Sequence, residues 1–138
     1  MKTCSIVLSL LIAYCGWAAA AEQSDGIGSK KLPHDAVLIC KEHVNGGASG
    51  KSMHIVWQAF GLNEDIDKTA QFYQAQFGQP PVRDDIGRNV WRFKGEYSEL
   101  IYSLQLSTST GPWSGCSDKP INFKTILMIS NGFWRKQS

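Results

Sequence analysis

The sequence predicts an α+β fold: a small two-layer sandwich of about five mostly antiparallel strands with one amphipathic helix, in the order β-β-α-β-β-β. Three observations carry that prediction. Short runs of β-branched and aromatic residues recur between breaks containing Gly, Pro, Asn and Ser. One window, around residues 63–78, repeats its apolar residues at helical spacing. The 138 residues show no internal repeat and no low-complexity segment, so one hydrophobic core is expected.

Residues 1–21 stand apart as a signal peptide. Lys2 precedes an apolar run, Ser5 to Tyr14, and the run ends in Ala18-Ala19-Ala20-Ala21, which fits an A-x-A cleavage site. Cleavage after Ala21 is favoured over lipidation of Cys15, because the bulky Tyr14 stands directly before that cysteine. The expected product is exported, periplasmic or secreted, with no transmembrane segment in the mature chain. Residues 22–32 are polar, carry Gly26, Gly28 and Ser29, and are expected to be a flexible leader. Residues 33–138 form the single domain.

Within that domain, Ala36-Val37-Leu38-Ile39-Cys40 reads as a buried strand, Asn45 to Gly50 as a loop, and Met53 to Phe60 as a second strand forming a hairpin with the first. Asn63 or Asp65 can cap the helix. Ile66, Ala70, Tyr73 and Phe77 line one of its faces, and Phe72 widens the stripe. Gly78 suits the left-handed position after the last turn, and Pro80-Pro81 forbids continuation. Asn89 to Phe93 and Leu100 to Leu106 alternate as strands. Phe123 to Ser130 is apolar on both faces and is therefore expected at the centre of the sheet.

Export also sets the covalent framework. Cys4 and Cys15 leave with the signal, and an oxidising compartment then favours a Cys40–Cys116 disulfide. Its long loop corresponds to about 4 kcal/mol in the chain-entropy treatment. Cys116 lies in the Ser107–Pro120 segment, rich in Ser, Thr, Gly and Pro, whose length suggests a functional loop or one pinned by the disulfide. Lys2 is the signal's only charge, so the mature chain holds 13 Lys and Arg against 12 Asp and Glu. That balance argues against non-specific binding to nucleic acid or to an anionic membrane.

No motif carries a specific chemistry. Gly46-Gly47-Ala48-Ser49-Gly50-Lys51-Ser52 falls one residue short of a phosphate-binding loop, and a strand rather than a helix is expected after it. His43 and His54 flank the hairpin loop and can approach across it. His34 lies elsewhere, and a third metal ligand has no evident source. No metal or other cofactor is expected. A hydrolase would have to combine His43 or His54 with loop carboxylates such as Glu96, Glu99, Asp84 or Asp85, without a defined spacing. Trp57 and Trp91 are expected in the core. Trp113, in the loop beside Cys116, and Trp134, in the tail after Gly132, are candidate contact residues, with His54 beside them. The leading expectation is a non-enzymatic binding module of inhibitor, immunity or envelope-associated type that contacts a protein in the envelope or outside the cell. A small hydrolase, or a carrier of an apolar molecule between helix and sheet, are the alternatives.

Overall fold

A computed structural model describes residues 22–48, 51–109 and 120–136. It contains a six-stranded sheet with one helix across one face. The elements are β1 (Val37–Ala48), β2 (Lys51–Leu62), α1 (Ile66–Phe77), β3 (Val82–Arg83), β4 (Asn89–Lys94), β5 (Ser98–Leu106) and β6 (Thr125–Lys136). Their spatial order is β1-β2-β6-β5-β4-β3, and every neighbouring pair is antiparallel. The chain leaves β2, crosses the sheet as α1 to the far edge, and returns strand by strand until β6 closes against β2. The doubly apolar β6 is central, as its sequence requires. No helix among the described residues is long and apolar enough to cross a membrane.

The helix packs through its aromatic stripe. Tyr73 is fully buried, and its ring lies against Trp91 and Tyr102; Phe77 meets Trp91, Phe93 and Tyr102 at centroid distances of 4.9 to 5.4 Å. Leu62, Leu104, Leu127 and Ile129 complete the layer from the sheet. Gly78 adopts φ 70° and returns its N–H to the Gln74 carbonyl at 2.9 Å, ending the helix in the expected way.

Several expectations are corrected. The sheet has six strands, not five: Val82–Arg83 adds a two-residue edge strand, too short to leave a pattern after Pro80-Pro81. β1 is not a buried strand but the opposite edge of the sheet, with Val37 and Leu38 exposed. Residues 45–48 continue β1 rather than forming a loop, because cross-strand pairing with Lys51–His54 overrides the local preference of Asn45-Gly46-Gly47. Asp65 is the N-cap residue, yet its side chain makes no cap hydrogen bond. Instead Asp35 Oδ2 accepts from the N–H groups of Asn63 and Glu64 at 2.7 and 3.0 Å, fixing the approach to the helix from before β1.

Residues 22–32 are a folded part of the domain rather than a flexible leader. Ser24 bridges to Lys31, Leu32 enters the core, and Gln76 of α1 exchanges two hydrogen bonds with the Lys31 backbone. The organiser is Asp25, which is 2% exposed. Its carboxylate accepts from the backbone N–H groups of Ile27, Gly28, Ser29 and Lys30, and from the Tyr102 hydroxyl at 2.7 Å. A polar segment is thereby ordered through one satisfied buried charge.

Candidate functional site

β1, β2 and β6 all run past the point where β5 begins, since Ser98 pairs with Phe133 and the three longer strands continue beyond it. The helix lies over the other end of the sheet. The overhanging end forms a groove of about 620 Å³, with Asn45, His54, Tyr97, Phe133, Trp134 and Arg135 among its walls. Tyr97 comes from the turn between β4 and β5, and its carbonyl accepts from the Trp134 N–H at 3.0 Å. Tyr97 and Phe133 are 55% and 44% exposed. Large aromatic rings left open to solvent beside convergent polar groups are the ordinary makings of a ligand site.

The register sorts these side chains by face. Asn45 stands directly opposite His54, and His54 opposite Phe133, so all three share the helix side of the sheet with Phe60 and Leu127. Trp134 stands opposite Met53 on the reverse side. His43, two residues before Asn45, returns to the His54 side. Its Nε2 lies 2.6 Å from His54 Nε2 and 3.2 Å from His54 Nδ1, while His54 Nδ1 lies 2.6 Å from Asn45 Oδ1. The two imidazoles meet edge to face, with centroids 4.1 Å apart and planes at 87°.

Of the residues singled out from sequence, His54 and Trp134 both line this groove from neighbouring strands, with their side chains on opposite faces of the sheet. Trp134 belongs to β6 rather than to a tail. Trp113 and Cys116 lie outside the described residues. Cys40 is disulfide-bonded and sits opposite Ala59, on the face away from the helix. Asn45, Tyr97, Phe133 and Arg135 were not singled out. The strand expected from Phe123 to Ser130 runs further, since Asn131 and Gly132 lie in β6 opposite Val56 and Ile55.

Two of the acids of the hydrolase alternative are engaged elsewhere: Asp84 with Arg88 at 2.7 Å and Glu99 with Arg92 at 3.5 Å. Burial pulls the Asp84 carboxyl upward, but hydrogen bonds from the Arg88 side chain and backbone, with its charge, hold it below the usual carboxylate range. Among the described residues no three His, Cys, Asp or Glu side chains gather into a metal-binding group. The layer between helix and sheet, where an apolar cargo would sit, is filled by Tyr73, Phe77, Trp91 and Tyr102. A smaller groove of about 240 Å³ runs along the reverse face past Trp57 and Met128. Comparison with protein-family models, with curated proteins and with solved structures finds no match.

Proposed function

We propose that the protein is an exported binding module that holds its ligand non-covalently at the overhanging end of the sheet. The observation that carries this reading is the groove itself. Exposed Tyr97 and Phe133 stand beside Asn45, His54 and Arg135 in a volume within the range of about 300–1,000 Å³ typical of ligand sites. Aromatic rings bury area at low rotamer cost, and the polar groups orient what binds. The partner we favour is a protein of the envelope or exterior, contacted as an inhibitor, immunity-type or envelope-associated factor. The amino-terminal signal, residues 1–21, supports export.

The same reading assigns the Cys40 disulfide to Cys116. The two ends of the connection between β5 and β6 meet each other, and the second reaches β2: the Ser107 N–H donates to the Lys124 carbonyl at 3.0 Å, and the Lys124 N–H to the Leu62 carbonyl at 2.9 Å. A Cys40–Cys116 bond would tie that connection to β1 as well.

The test is capture from an envelope extract with immobilised protein, comparing wild type with a Tyr97→Ala/Phe133→Ala double variant of unchanged circular dichroism. A partner retained by wild type and lost by the variant supports the groove. Equal retention by both places binding elsewhere and overturns it.

A further inference from the structure

We propose that His43 and His54 form a binding site for one divalent transition-metal ion of the zinc or copper(II) type, with Asn45 as the residue that positions His54. The hairpin register brings the groups together. Asn45 opposes His54 directly, and His43 reaches the same ring diagonally from two residues earlier on the same face. Four heteroatoms thus converge: His43 Nε2 lies 2.6 Å from His54 Nε2, and His54 Nδ1 lies 2.6 Å from Asn45 Oδ1.

The amide oxygen can only accept, so His54 Nδ1 carries the hydrogen in this contact and Nε2 keeps its lone pair. An imidazole whose second nitrogen donates to a carbonyl-type oxygen is the usual arrangement of a metal-ligating histidine, since that bond fixes tautomer and orientation. In the ion-free pair His43 Nε2–H donates to His54 Nε2; to bind, His43 shifts to the tautomer with its hydrogen on Nδ1, and the ion takes the place of that hydrogen between the two lone pairs.

The required adjustment is small. Zn–N bonds of about 2.0–2.1 Å at a tetrahedral angle set the two nitrogens about 3.3 Å apart, less than 1 Å wider than they stand. A turn of the His54 ring about χ2, a broad torsion in imidazoles, aims Nε2 between the rings. His43 is exposed at the sheet edge and free to widen the gap. Two imidazoles select zinc, copper or nickel over magnesium or calcium, which prefer oxygen. Water fills the remaining coordination positions.

The experiment is calorimetric titration of the purified, tag-free protein with ZnCl2 and with CuCl2, followed by electron paramagnetic resonance of the copper-loaded sample. One ion per chain is expected, with nitrogen hyperfine structure from two imidazoles. His43→Ala and His54→Ala should each weaken binding at least tenfold. Asn45→Ala should weaken it about 10- to 100-fold, the range typical of such outer partners. His34→Ala should leave binding unchanged. Absence of stoichiometric binding, or affinity within twofold of wild type in either His43→Ala or His54→Ala, overturns the proposal. Loss of binding in His34→Ala overturns it too, because the ion would then be held elsewhere.

Discussion

Tyr102 donates its hydroxyl hydrogen to Asp25 Oδ2 at 2.7 Å, joining the middle of β5 to a residue 77 positions earlier. Both partners are buried, and the same carboxylate gathers four backbone N–H groups. Asp25→Ala should therefore cost about 3 kcal/mol or more in urea unfolding, because it strands several buried donors at once. Tyr102→Phe, which removes one bond to a charged acceptor, should cost about 1.5–3 kcal/mol. An Asp25→Ala midpoint equal to wild type would show that residues 22–32 contribute nothing to the fold.

Tyr73 provides the contrast. It is as buried as Tyr102, but its hydroxyl has no hydrogen-bond partner among the described residues. Tyr73→Phe should be neutral or stabilising by up to about 1 kcal/mol, since it removes an unpaired buried polar atom. The opposite signs of Tyr73→Phe and Tyr102→Phe, measured in one denaturant series, check the hydrogen-bond assignment directly.

Burial raises both tyrosines well above the ordinary phenol range. The Asp25 charge adds to the rise at Tyr73, and the hydrogen bond to Asp25 adds to it at Tyr102. A raised folded-state pKa gives stability that is complete below the unfolded value, about 10, and is lost as pH rises beyond it. The unfolding free energy should hold steady from pH 7 to 9 and fall above pH 10. Ultraviolet titration should show Tyr73 and Tyr102 ionising only as the protein unfolds.

Phe123, just before β6, lies against Gly61 of β2. A Cβ built on Gly61 would overlap the Phe123 ring, whereas one on Gly46 meets nothing within 4 Å. Gly61→Ala should destabilise by about 1–3 kcal/mol through overpacking, and Gly46→Ala should be close to neutral. Thermal melts of the two variants side by side decide the matter.

The disulfide assignment predicts a Cys40–Cys116 peptide in a non-reducing digest, absent after reduction. Cys40→Ser should lower stability by about 2–4 kcal/mol. A digest that links Cys40 to Cys4 or Cys15 would refute both the pairing and the cleavage site.

The helix was legible because Ile66, Ala70, Tyr73 and Phe77 share one face and Gly78 marks its end. The central place of β6 was legible because Ile126 to Ile129 is apolar on both sides. What escaped notice was held by tertiary contacts rather than by local pattern. Asp25 looks like any acid in a polar leader until Tyr102 is brought beneath it. Asn45-Gly46 looks like a turn until a neighbouring strand captures it. The groove belongs to the same class: Asn45, Tyr97 and Phe133 come from three separate stretches and meet only in the finished sheet.

The position of β6 has a kinetic consequence. β1 and β2 form one hairpin and β3 to β5 a second group, and within the sheet β6 joins them, through β2 on one side and β5 on the other. Without β6 the sheet divides into two separate strand groups, each with an open edge. Such non-local closure makes folding slow relative to helical domains of similar length. Closure of the sheet therefore waits on the last described strand, and its two halves cannot meet until residues 125–136 have been synthesised.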